Sequence, residues 1–214
     1  QTDFVAKDEN FTAFAEKAAN LALENNVTDV AAISALPYGD GQTVEEARVS
    51  LVQKIGENIQ IRRVEVLEGA NIASYRHGLR IGVVVSYEGG SAETGKNLAM
   101  HIAAFNPVAV DDESVDADVL AREKDIIDAK ARESGKPDNI VEKMIEGGLR
   151  KYLDEVTLLR QPYVMDNEKK VGDVLKAEGV KVLGFKRLEV GEGIEKKQED
   201  FAAEVAATQA LANK

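Results

Sequence analysis

His77 and His101 are the only imidazoles in the chain, and with no cysteine present they carry most of what could be nucleophilic, metal-binding or proton-shuttling chemistry. Neither has a ligand four residues on, the spacing that lets one helical turn hold a metal. His77 falls at a hairpin; His101 lies on an apolar-faced helix, where a partly buried structural histidine is the default. The absence of cysteine excludes thiolate zinc sites, disulfides and cysteine nucleophiles, and fits a reducing compartment. The 38 carboxylates are so many that adjacent pairs such as Glu45-Glu46 or Asp111-Asp112 arise by chance, and a solvated face is their first reading. Gly89-Gly90-Ser91 lacks the lysine and spacing of a phosphate-cradling loop and reads as a turn. No nucleophile stands at readable spacing from an activating base, which points to binding rather than bond-making. The strongest binding candidate is the opening Gln1-Thr2-Asp3-Phe4-Val5-Ala6-Lys7, which sets a carboxylate beside a bulky aromatic at a helix start. On its own the heptad reads equally as a capped helix with Phe4 in a core.

The elements that must position these residues follow from periodicity. Phe11, Phe14, Ala15, Ala18, Leu21 and Ala22 recur at helical spacing, with Asn10 as cap and Asn25-Asn26 as the stop. A short helix is expected over Val30 to Leu36 and a loop over Pro37 to Gly41. Thr43-Val44-Glu45-Glu46 is a capping box leading a helix that Gly56 ends. Ile59, Ile61, Val64 and Val66 predict a strand with a bulge at Arg62-Arg63. Asn71 to His77 and Leu79 to Tyr87 predict two strands joined through Gly78. A helix then carries Leu98, Ala99, Ile102 and Ala103 as far as Pro107.

Past Asp111-Asp112-Glu113 the chain becomes charged. Two helices, Val115 to about Ser134 and Pro137 to Tyr152, flank a four-residue break and predict an antiparallel hairpin with a narrow apolar stripe. Pro162 to Met165 reads as extended, Val171 to Leu175 as a short helix, and Val180 to Val190 as a strand. An alanine-rich helix around Phe201 closes the chain. Strands, helix, inserted hairpin, helix, strand is the order of an antiparallel α+β fold, not of a doubly wound sheet. The stretch Tyr75 to Val85 before one helix and Thr2-Asp3-Phe4 before another suggest a repeated unit. A net charge of −11 and a pI near 4.8 argue against an electrostatic nucleic-acid binder. No apolar run is long enough to span a bilayer. The chain starts with Gln rather than Met, so it is read as a piece of a longer protein.

The heptad is one of eight segments that, in order, resemble bacterial elongation factor Ts. The others are Lys54-Ile55-Gly56-Glu57-Asn58-Ile59, Ile61-Arg62-Arg63-Val64 and Tyr75-Arg76-His77-Gly78, then Ala99-Met100-His101-Ile102-Ala103-Ala104 and Ser134-Gly135-Lys136-Pro137. Gln161-Pro162-Tyr163-Val164-Met165 and Glu189-Val190-Gly191-Glu192-Gly193-Ile194-Glu195-Lys196 complete the set.

The resemblance implies an α+β fold of two related antiparallel-sheet-plus-helices subdomains with an inserted coiled-coil hairpin. The first subdomain would be residues 1–69 without its opening strands, and the second 70–112 resumed at 163–195. The hairpin would be 113–162 and a C-terminal helical module 196–214. It implies a cytoplasmic guanine-nucleotide exchange factor for the GTPase elongation factor Tu in translation elongation, with no covalent chemistry and no cofactor or metal of its own. Direct nucleic-acid and membrane partners are not expected.

By the same resemblance Asp3, Phe4 and Val5 enter the GTPase domain near its magnesium site. Ile55, Gly56, Glu57 and Asn58 form a neighbouring contact loop, His77 is a contact histidine, and Val164 and Met165 touch another part of the partner. For Ile55 and Gly56, helix packing and a stop signal are equally good readings; for His77 a structural role is. The family's N-terminal helical module and the strands before the signature are not in this sequence, so a molecule beginning at Gln1 is expected to exchange weakly. The competing class is a scaffold subunit that self-associates through the hairpin without exchange activity.

Overall fold

The computed structural model describes residues 4–193; Asp3 and the expected terminal helix around Phe201 lie outside them. Helix α1, Glu9–Glu24, is capped by Asp8, whose carboxylate accepts from the backbone N–H of Asn10 at 2.8 Å and of Phe11 at 3.1 Å. Asn10, expected as the cap, instead donates its side-chain amide to Asp8 and accepts from Lys54. A charged carboxylate at the positive end of the helix dipole is the better-placed acceptor. These bonds hold the Asp8 carboxyl below the usual range, the Asn10 side-chain bond first. Phe14, Ala18 and Ala22 form the buried face.

Helix α2, Val30–Ser34, stops two residues earlier than its periodicity predicts, because Pro37 draws the preceding chain into extended backbone. Strands β1, Pro37–Gly39, and β2, Gln42–Thr43, make a small hairpin where a loop is expected. Asp40 and Gly41, with φ of 52° and 77°, supply the two positive angles of a type I′ turn. Helix α3, Val44–Ile55, carries both halves of the Thr43/Glu46 capping box and ends at Gly56 with φ 79°. Val44, Ala47 and Leu51 pack with α1, Ile33 and Ile59 into the first core.

The strand expected over Ile59 to Val66 does not form. Residues 57–70 run without regular structure, and among the described residues they pair with no strand. The apolar alternation is real, but it records burial rather than a ladder: Ile59 belongs to the first core, and its carbonyl accepts from Arg48 Nη1 at 2.6 Å. Further on, Glu65 pairs with Lys186 at 2.9 Å, and Gly69 sits so close to Ser86 that an added Cβ would lie 1.9 Å from its hydroxyl oxygen. The segment thus covers one face of the second sheet.

That sheet has order β3-β4-β7, all antiparallel, from β3, Asn71–His77; β4, Ile81–Glu88; and β7, Lys181–Glu189. The turn takes Gly78 to Arg80, so β4 begins two residues later than expected. Helix α4, Ala92–Phe105, capped by Ser91 and closed by Asn106 at φ 47°, packs Leu98, Ala99 and Ile102 against Val83 and Val85 on the other face. Gly95 is the contact point: a Cβ there would lie 2.5 Å from the Tyr87 ring.

Helices α5, Ala117–Glu133, and α6, Asp138–Val156, form the hairpin, with Ala131 and Val141 buried between them. Pro137 takes the cap position rather than the first turn. At its base Leu158 N–H donates to Ala109 at 2.9 Å and Leu159 N–H to Val110 at 3.0 Å, while Arg160 bridges Asp112 and Asp154. Strands β5, Pro162–Tyr163, and β6, Asp166–Lys170, flank a turn at Val164-Met165 and lead into α7, Val171–Ala177. Tyr163, Val171 and Leu175 complete the second core. The fold is α+β, and among the described residues no helix is long and apolar enough to cross a membrane.

Candidate functional site

Phe4 opens a 3-10 turn, Val5–Lys7, in which Lys7 N–H donates to Phe4 C=O and Asp8 N–H to Val5 C=O, both at 3.1 Å. The turn stands directly before the α1 cap, and it separates the two side chains. Val5 packs against the first core, whereas Phe4 is 86 % exposed. The reading of Phe4 as a core aromatic is therefore set aside. Water holds most of a large apolar ring, the kind of surface that binding covers.

Val5, Ala6 and Phe11 form one side of a cleft of about 390 Å³, together with Glu57, Asn58 and Ile59 from the segment after α3. The positive φ of Gly56 turns the chain out of the helix and delivers Glu57 and Asn58 to this wall. Ile55, by contrast, packs half-buried on the first core. The opposite wall comes from the second sheet: Leu79 and Arg80 at the β3–β4 tip, and Val190 just past β7. His77 is the last residue of β3, exposed, with Nδ1 bonded to Tyr75 Oη at 3.1 Å. It stands at the root of the hairpin tip whose next residues line the cleft. Arg62 and Arg63 tie the outgoing chain nearby, through the Glu192 carbonyl at 2.7 Å and carboxylate at 2.9 Å; Arg63 holds that carboxyl below its usual range.

Five separate stretches of sequence thus meet at one cleft: residues 5–6, 11, 57–60, 79–80 and 190, with Phe4 one residue before the first of them. Sequence reasoning missed Leu79, Arg80 and Val190. Gly78 was the available signal, since a tight turn there puts the two residues after it at an exposed tip.

Val164 and Met165 do not line this cleft. They form the β5–β6 turn, where Met165 is 58 % exposed and Val164 packs on the second core. The backbone N–H of Val164 donates to His101 Nδ1 at 3.2 Å. His101 is fully buried, stacked on Phe105 with ring centroids 4.5 Å apart, and burial pushes its pKa below the ordinary value despite the Gln161 hydrogen bond. Among the described residues no group of three His, Asp or Glu side chains is placed to hold a metal. The molecule offers an exposed aromatic, a cleft lined mainly by apolar side chains with Glu57 and Arg80 among them, and, apart from the cleft, an exposed thioether, all suited to gripping another macromolecule.

Comparison with known proteins agrees on one family. The family model described as "Elongation factor TS" matches residues 1–192. A protein of Psychrobacter cryohalolentis named "Elongation factor Ts" is 94% identical over the whole chain, which covers 73% of that protein. The one of Psychrobacter arcticus is 93% identical over the same span, again 73% of the relative. That of Acinetobacter baumannii is 65% identical over 213 residues, or 99% of this chain and 73% of the relative. With the match running through the heptad, the cleft and the β5–β6 turn, this chain belongs to the elongation factor Ts family.

Proposed function

We propose that the chain is a guanine-nucleotide exchange factor that binds elongation factor Tu and speeds GDP release by disturbing the magnesium and phosphate site. The observation that carries the reading is Phe4, an aromatic left mostly in water one residue before Val5, which lines the cleft. Exchange is a coupling between two ligands of one GTPase: whatever weakens GDP by engaging the partner is weakened by GDP to the same factor. A wedge that displaces the supports of the magnesium site supplies such coupling without covalent chemistry. In this reading Asp3, Phe4 and Val5 enter the GTPase domain, and Ile55, Gly56, Glu57, Asn58 and His77 contact it alongside. Val164 and Met165 grip a second region of the partner. Leu79 and Arg80 join the surface because they share the cleft with Val5 and Asn58.

The test is release of labelled GDP from elongation factor Tu with and without the chain, which should accelerate it. Phe4→Ala should weaken the effect at sub-saturating chain by about thirtyfold, the loss of a 2 kcal/mol anchor. GDP release indifferent to the native chain would sink the reading. A second reading, self-association through the hairpin, rests on Ile126 and Ile140, which stay 47 % and 36 % exposed on α5 and α6. Sedimentation of the chain with both changed to Lys tests it: a dimer lost in the variant supports association, and a native monomer removes it.

A further inference from the structure

The β5–β6 turn has little ladder to hold it. β5 is two residues long, one of them a proline without an N–H, and the register between the strands is irregular at Pro162/Tyr163. Yet Met165 at this turn is exposed while Tyr163, two residues back, is buried. A flexible thioether on a loose turn would lose much entropy on binding, so something must fix the backbone beneath it.

His101 is placed to do so. Because its Nδ1 accepts from Val164 N–H, the ring proton sits on Nε2, which donates to Gln161 Oε1 at 3.0 Å. The Gln161 side-chain amide then donates to Glu155 C=O at 2.7 Å and Phe105 C=O at 3.4 Å, which fixes its own orientation. Phe105 and Tyr163 stack on the ring at centroid distances of 4.5 and 6.0 Å. The relay runs from the end of α6 through two buried side chains to the backbone N–H of Val164 at the turn.

We infer that His101 is a positioning residue whose relay through Gln161 and Val164 holds the turn in the shape that presents Met165 to the GTPase partner. The inference rests on the proposed reading of Met165 as a partner contact. His101→Phe keeps a stacking ring but offers Val164 no acceptor; His101→Asn keeps an acceptor near the place of Nδ1. The chain has three methionines, so methyl-labelled protein gives three signals, with Met144 on the hairpin as internal control.

His101→Phe should shift the Met165 methyl and leave Met144 unmoved. It should raise the chain concentration that half-saturates GDP release by about tenfold, with the saturated rate unchanged. His101→Asn should restore the Met165 signal and stay within about threefold of native. If His101→Phe does not fold, His101→Leu, which also lacks an acceptor, is read by the same criteria. A native Met165 signal and native half-saturation in the acceptor-less variant overturn the inference. So does equal loss in the Asn and Phe variants. If the native chain fails to release GDP, the partner reading falls, while the methyl shift still decides whether the relay sets the turn.

Discussion

With 86 % of its surface in water, Phe4 carries apolar area that is left uncovered among the described residues. Burying such a ring is worth about 1.5–3 kcal/mol, and most of that area is still exposed among the described residues. Phe4→Ala should accordingly leave chain stability within about 0.5 kcal/mol in urea titration, so any loss of exchange cannot be traced to unfolding. His101 faces the opposite constraint. Its folded pKa lies below the ordinary 6.5, so between the two values the unfolded chain binds more protons and stability rises with pH. The stabilisation is whole above 6.5 and fades as pH falls through the lower folded value. Urea midpoints at pH 7.5 and 5.5 should separate in the native chain, and His101→Phe should remove the part of that separation due to the imidazole. Ser86 presents a third case: its hydroxyl is buried without a partner among the described residues, under Gly69. Ser86→Ala is expected to raise stability by about 1 kcal/mol, measured the same way.

At the scale of elements, α3 shows local sequence and tertiary structure in agreement. Thr43 Oγ1 accepts from Glu46 N–H at 3.2 Å, and Glu46 Oε2 accepts from Thr43 N–H at 2.7 Å. Thr43→Ala should lower stability by about 1 kcal/mol, seen as an earlier urea midpoint with unchanged slope. Although only for α3 was the cap read correctly, the α1 cap being Asp8 rather than Asn10, helices α1, α3 and α4 were legible because an apolar face and a stop are local signals. So were β3, β4 and β7, whose alternation coincides with a sheet face on the second core. The segment after α3 was misread because alternation at Ile59, Ile61, Val64 and Val66 reports which side chains are covered, and covering does not require a hydrogen-bonded neighbour. Strand β6 escaped notice for the reverse reason: Asp166–Lys170 is polar and largely exposed, and only its pairing with β5 makes it a strand. The β1–β2 hairpin hid in two residues, Asp40 and Gly41, that also fit a loop. As for the candidate site, Phe4 and Met165 are contacts only as the resemblance implies, and the structure leaves both exposed. The cleft was not foreseeable, since its walls are remote in sequence and meet only through tertiary contact.

Across the whole molecule, the hairpin is attached by a compact base. Leu158 and Leu159 bond back to Ala109 and Val110, and Arg160 joins Asp112 and Asp154, so the chain enters and leaves at one place. Replacing residues 117–156 by a short Gly-Ser turn should therefore leave a single cooperative melt for the remainder, followed by near-UV circular dichroism. Two melts, or none, would show that α5 and α6 help hold the cores. The cleft has a different construction. One wall is anchored in the core of α1 and α3, the other in the core of β4 and α4, and residues 57–70 run from the first wall across the second sheet. A body that clasps both walls at once behaves like a caliper closed on its object. The rigidity of that short connecting span then fixes the gauge, and a slackened span would cost grip at every contact without altering any one of them.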